Sequence, residues 1–376
     1  MTAAAISTGP AIATASPAAD VPWSEVGPGW TLATWSPVTP TAPGVEPAPG
    51  EPTWETASET LYLINPTGDR YAITTFAPDE SQSMALLDWS GDGSHALFGV
   101  EYPAPDTVIS VDLHTGAKST IAVGGHPEFT RPEGRALLVS NGYQYDDARP
   151  LTLKRLDLNG NEQMRYPTEQ LGTAGQFTGN HLESPDGKQL VLDTGHAMVV
   201  MGNDGTIQHT VPAPMADGKC RAVRWWSADV VLTQCTQDRE GSQLWTVPLD
   251  GSAPTALTAV NSGSGDDPGF KGDLYDGIAW QLPGGTFLQS AGACGTSFLS
   301  RLTPDGHTAR VNVPGMNDSV LVAGVSGDKL ALLGKVGCGG TTSLVAYDPG
   351  TDSSTVLLGP PVNGGGVTEA IPFGRN

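Results

Sequence analysis

Two interleaved series of tight-turn signals restrict what this chain can fold into more than any other feature of its sequence. The first series runs Gly27-Pro28-Gly29, Ser90-Gly91-Asp92-Gly93, Arg131-Pro132-Glu133-Gly134, Ser184-Pro185-Asp186-Gly187, Ser227-Ala228-Asp229, Leu282-Pro283-Gly284-Gly285 and Ser326-Gly327-Asp328. The second runs Pro66-Thr67-Gly68, His114-Thr115-Gly116, Leu158-Asn159-Gly160, Asn203-Asp204-Gly205, Leu249-Asp250-Gly251, Pro304-Asp305-Gly306 and Asp348-Pro349-Gly350. Each series has seven members, and the second-series glycines stand 48, 44, 45, 46, 55 and 44 residues apart. A spacing of this size marks a stacked or radial repeat.

Between the turns lie runs of 4–7 residues rich in Val, Leu, Ile and Thr, such as Ala85-Leu86-Leu87-Asp88-Trp89 and Thr107-Val108-Ile109-Ser110-Val111. Short β-branched runs bounded by Gly, Pro and Asp read as strands, and no segment carries a helical period. Four antiparallel strands per unit, seven times over, predict an all-β fold: a seven-bladed β-propeller of four-stranded antiparallel blades. A pair of β-sandwiches also has many short strands, but it does not repeat the same two turns at a near-constant period. The expected division is a disordered Ala/Thr/Pro-rich segment at 1–19 and a single propeller over 20–376. Its first blade is placed at 21–76, interrupted between its second and third strands by an insertion at 37–58 whose six prolines exclude a strand. Segment 368–373, β-like and outside the count, is expected to run alongside the first blade and close the ring.

The strings Asp88-Trp89-Ser90-Gly91-Asp92-Gly93 and Glu183-Ser184-Pro185-Asp186-Gly187-Lys188, the latter followed by an apolar strand and then Asn203-Asp204-Gly205, resemble the repeats of TolB-like, WD-repeat-type bacterial β-propellers. The blade at 181–212 is nearest the pattern, and those around 221 and 320 keep only the Ser and Asp of the turn. The resemblance implies a scaffold that presents a face or channel to protein partners in the cell envelope. It implies no catalytic residue, because the motif is turn chemistry: Pro presets φ, Asp accepts hydrogen bonds across the turn and Gly takes positive φ.

Composition narrows the partners. With 19 basic and 40 acidic residues the net charge is −21, so no basic face exists for nucleic acid or anionic lipid. No apolar run approaches the roughly 18 residues that a membrane-spanning helix needs. Residues 1–19 lack the basic start and continuous apolar stretch of a leader. The cysteines, Cys220, Cys235, Cys294 and Cys338, are even in number and lack the paired close spacings of a zinc site, which points to disulfides and an extracytoplasmic location. A two-residue turn after Trp226 places Cys220 opposite Cys235 on adjacent strands, within disulfide reach, whereas a three-residue turn would pair 220 with 236 and turn Cys235 to the other face. Cys294 and Cys338 occupy equivalent glycine-rich tips in adjacent blades and are expected to bridge them.

Searching for chemistry yields little. Seven histidines are scattered without metal-ligand spacing, and only His181 and His196 fall near one end of the same blade. Asp266, Asp267 and Asp273 on a glycine-rich connection are the candidates for Ca²⁺, but they lack the spacing of a calcium loop, so no cofactor is expected. There is no GxSxG elbow. Asp146, Asp147, Glu183 and Asp276 could approach one another as paired carboxylates, although nothing in their local sequence selects them. Trp89, Trp225, Trp226 and Trp280, at the ends of first strands, read as wedges between blades.

Loop length is more informative. Connections between the second and third strands, and between blades, open on one face of the disc. They carry every elaboration: 37–58 with Trp54, 101–106, 141–150, 167–177, 238–241 and 261–276. The densest in contact-type residues holds Tyr143, Tyr145, Asp146, Asp147 and Arg149, which with Trp54 form the expected binding site. The reading is a monomeric, non-catalytic extracytoplasmic binding or scaffold module for a protein or glycan partner. The alternative is a lyase or glycan-acting hydrolase at the channel mouth.

Overall fold

A computed structural model describes residues 15–40, 49–81, 84–142, 150–215, 219–237, 241–260, 275–291, 296–316, 319–335, 340–359 and 365–374. It is a seven-bladed β-propeller of antiparallel blades. The second blade shows the unit: strands Ala85–Trp89, His95–Gly99, Thr107–Asp112 and Lys118–Ala122, paired in chain order. First strands of most neighbouring blades touch one another around the central channel. Turn chemistry accounts for the hairpins. Six of the seven second-series glycines adopt left-handed φ, from 71° at Gly116 to 94° at Gly68. At the seventh the left-handed position moves to Asp352, with φ 52°. First-series turns also pack across seams. A Cβ on Gly91 would lie 1.7 Å from the Pro132 carbonyl oxygen and one on Gly187 would lie 2.1 Å from that of Arg131, so both turns wedge against the third blade where only glycine fits.

The first blade differs from the expected 21–76 unit in one respect. The chain from 31 to 76 supplies only three of its four principal strands, Thr31–Ser36, Glu59–Ile64 and Arg70–Phe76. The innermost comes from the other end of the chain: Gly366–Pro372 pairs antiparallel with Thr31–Ser36, Leu32 opposite Ile371. A two-residue strand, Ser16–Pro17, adds in parallel outside Arg70–Phe76. Closing the ring with strands from both chain ends leaves no blade edge to join at the seam. Between that strand and Thr31 the chain instead forms two short 3₁₀ turns, Ala18–Asp20 and Trp23–Glu25, and Trp23 stacks on His114 of the second blade with ring centroids 3.9 Å apart. The insertion follows the blade's second strand counted from the channel, and 41–48 within it lie outside the described residues. So do residues 1–14 of the N-terminal segment.

Cores form between blades rather than within them. Trp89 is buried and meets Phe373 edge-on at 5.0 Å, Trp225 donates from Nε1 to the Glu183 carbonyl oxygen at 2.8 Å, and Trp280 is buried against the seventh blade. Cys220 and Cys235 form a disulfide with Cα atoms 4.1 Å apart. Their register arises by an unexpected route. The turn pairs Ser227 with Val230, and two bulges in the first strand, after Ala222 and after Trp225, restore Cys220 opposite Cys235. Cys294 and Cys338 lie outside the described residues. Cross-linking positions 15 residues apart stabilises by about 3 kcal/mol. The Cys220→Ser/Cys235→Ser variant should lose about that much in chemical denaturation, and an unchanged midpoint would show that the bond adds nothing to folding.

Candidate functional site

Bulges recur in the first strands, and they generate a set of clasps between blades. The strand is interrupted after Leu86, Ala222, Asp276 and Val322, and the C-terminal strand at Thr368. A bulge frees an amide from the ladder. At three of these bulges an amide finds a side-chain acceptor in the preceding blade: Leu86 N–H donates to Glu369 Oε2, Ala222 N–H to Asp193 Oδ2 at 2.7 Å and Val322 N–H to Gln289 Oε1 at 2.5 Å. Burial pushes Asp193 up to about 7, against the lowering effect of its bonds to Asn180 and Ala222 and of Arg221.

The channel between the second and fifth blades holds a cavity of about 220 Å³ lined by Asp88, Glu128, Arg131, Glu183 and Arg224, among others. Two of its three acids are engaged. Asp88 accepts from Phe129 N–H at 2.8 Å and lies 3.5 Å from Arg131, while Glu183 accepts from Arg131 N–H at 2.5 Å and from Asn203 at 2.6 Å. Glu183 is thus a structural acid. His181 is buried with its ring near the Gly179 carbonyl oxygen, and no group of three His, Cys, Asp or Glu side chains is arranged for a metal among the described residues.

A larger concavity lies elsewhere, on the face that carries the long loops. It measures about 610 Å³ and sits between the first and second blades. Among the stretches that converge there are the end of the insertion (Trp54, Ala57), strand Glu59–Ile64 through Glu59, the connection after His95–Gly99 (Glu101, Tyr102) and the C-terminal strand (Thr368, Glu369). Trp54 and Tyr102, 51% and 70% exposed, stand at its rim. Below them are the acids. Thr368 donates its hydroxyl to Glu59 and stands 2.6 Å from the Thr34 hydroxyl. Burial raises Glu59, with the Thr368 and Thr34 hydroxyls opposing. Glu369 is pushed up to about 8, first by burial, opposed by the Leu86 amide and reinforced by the charges of Glu59 and Glu101.

Of the residues expected to bind, Trp54 lies at this pocket, whereas Tyr143, Tyr145, Asp146, Asp147 and Arg149 lie outside the described residues, as do Asp266, Asp267 and Asp273. The strand ends flanking the tyrosine loop, Ser140 and Leu153, open on the same face. Reading the sequence missed Glu59 and Glu369. The signal was a lone acid in each of two otherwise apolar or hydroxyl-bearing strands, Glu59–Ile64 and Gly366–Pro372, but only ring closure brings the two strands together.

No family model matches the chain, and no curated protein matches it in sequence. Among solved structures it is similar to prolyl oligopeptidase B from Galerina marginata, with a TM-score of 0.51 and 10% identity over 91% of this chain and 52% of that one. It is also similar to one of two prolyl endopeptidases studied for interdomain dynamics, at 0.50 and 15% over 88% and 50%. TolB from Acinetobacter baumannii matches at 0.45 and 14% over 91% and 66%. The chain spans about half the length of the peptidases, and likeness at these identities shows the propeller fold alone.

Proposed function

We propose that this chain is an extracytoplasmic binding module that offers the loop-elaborated face of its propeller to a protein or glycan partner. The observation that carries the reading is the 610 Å³ pocket on that face with two exposed aromatic side chains at its rim. Concave sites of this size with a few convergent polar groups are where propeller and loop scaffolds place ligands, and aromatic anchors supply area at low entropic cost. The Cys220–Cys235 disulfide supports an oxidising compartment.

A glycan-acting hydrolase would draw on the same pocket, because Glu369 is held near 8 beside Glu59. The clasps speak for binding instead. Glu369 spends an oxygen on the Leu86 amide, and at another seam an ordinary amide side chain, Gln289, fills the same role for Val322. Partner capture from the native envelope fraction tests the reading, comparing the intact chain with Trp54→Ala/Tyr102→Ala and with a chain lacking 40–56. The intact chain should retain a partner that both variants lose while keeping their thermal melts. Equal capture by all three would overturn it. Turnover of a glycan that Glu369→Gln abolishes would establish the hydrolase.

A further inference from the structure

Resting on that binding reading, we infer that the pocket receives a basic side chain of a partner protein, a lysine or arginine whose stem lies along Trp54 and Tyr102 and whose charged head sits among Glu59, Glu101 and Glu369. The first support is shape: a cavity of about 610 Å³ accommodates a long side chain together with its flanking backbone. The second is an imbalance of charge. Elsewhere three partly or fully buried acids at blade seams have cationic neighbours: Asp88 lies 3.5 Å from Arg131, Glu183 lies 3.6 Å from Arg155 and Glu80 lies 2.8 Å from Lys118. Three acids converge on this pocket, and no Lys, Arg or His is among its lining residues. An incoming cation supplies here the counter-charge that the fold itself supplies at those three seams. The third is the rim. Trp and Tyr faces attract an ammonium or guanidinium through the ring quadrupole, by about 0.5–2 kcal/mol depending on desolvation. A metal ion fits less well, because Glu59 and Glu369 each already accept a hydrogen bond from a neutral donor.

Proton linkage follows from the same arrangement. The titratable groups facing Glu369 are Glu59 on the adjoining strand of its own blade and Glu101 on the second blade's loop, both acids, with the Tyr102 ring beside them. A bound cation favours the ionised form of Glu369, so binding releases a proton below about pH 8 and tightens as pH rises from 6 to 9. The gain is about tenfold for each unit by which the cation lowers that carboxyl.

Titration calorimetry on the full disulfide-bonded chain tests this with three probes: the peptide acetyl-Gly-Lys-Gly-amide, the same peptide with Nε-acetyl-lysine, and a neutral β-linked glucose tetrasaccharide. The lysine peptide should bind at least tenfold more tightly than its acetylated form and more tightly at pH 9 than at pH 6. It should weaken at least tenfold in Trp54→Ala and in Glu101→Gln, two changes at exposed loop positions that leave the blades intact. If both peptides bind equally and both are lost in Trp54→Ala, the face is a binding surface but the specificity for a basic group is wrong. Binding of the tetrasaccharide alone replaces the basic protein segment with a glycan. Failure of every probe at millimolar concentration overturns the inference, while partner capture by the intact chain still judges the binding function separately.

Discussion

Removing residues 366–376 should abolish cooperative folding. The segment is the innermost strand of the first blade, and Val367, Ala370 and Ile371 within it are 0%, 7% and 2% exposed. It packs on both sides, against the seventh blade through Val367 and Ala370 and against the second through Ile371 and Phe373. Without it the strand Thr31–Ser36 would present a free edge, with Leu32 and Ala33 uncovered, and the ring would open at its only seam between chain ends. A milder version separates closure from simple loss of chain. Ile371→Ala deletes a buried side chain in the same cluster and should cost about 2–5 kcal/mol in urea denaturation. A synthetic peptide of 366–376 added to the truncated chain should restore its far-ultraviolet spectrum. An unchanged melting temperature after truncation would mean that the ring is held without this strand.

Stability should also fall as pH rises through neutrality, and Asp193→Asn should remove much of that fall. Asp193 is 1% exposed, and its folded value, about 7, lies above the ordinary carboxylate value of 3.8. The fold therefore favours the protonated form. This contribution is fully present below pH 3.8 and is lost as pH climbs through about 7, where ionising the folded protein becomes unavoidable. At about 1.36 kcal/mol per unit the loss between pH 4 and 7 approaches about 4 kcal/mol. Glu369, held near 8, acts in the same direction over a window that extends higher. The exposed turn acids Asp186 and Asp204, whose values are depressed, contribute oppositely and lose their stabilisation only at acid pH. Asn offers the Ala222 amide the same oxygen without a charge, much as Gln289 serves Val322. Denaturation at pH 5 and pH 8 should show Asp193→Asn at least as stable as the native chain at pH 8, with a flatter pH dependence. Parallel curves, or a variant less stable at both pH values, would mean that Asp193 is ionised in the folded state.

The site was legible only in part. Trp54 stood out because it is the aromatic of a proline-rich insertion, and the stretch 101–106 because it lengthens an otherwise tight connection. Glu59 and Glu369 are 310 positions apart in the chain, and neither carries a local signal. Each is one polar residue on a strand, which the alternation of a half-buried strand permits anywhere. Their proximity depends on which end of the chain closes the ring and on the bulge at Thr368 that sets the register of Glu369 opposite Thr34.

By itself the sequence determined the blade number, the antiparallel order within blades and the face that carries the long loops. Each of these follows from local turn chemistry repeated at a fixed period, and glycine, proline and aspartate act on the backbone within four or five residues. Tertiary structure decided the rest: the strand borrowed from residues 366–372, the two bulges that set Cys220 against Cys235, and the burial at blade seams that raises Asp193 and Glu369 against the opposing pull of their clasp hydrogen bonds. The physical reason is that desolvation and cross-seam hydrogen bonding depend on what a neighbouring blade places against a residue, and that neighbour is specified by closure of the ring rather than by adjacent sequence.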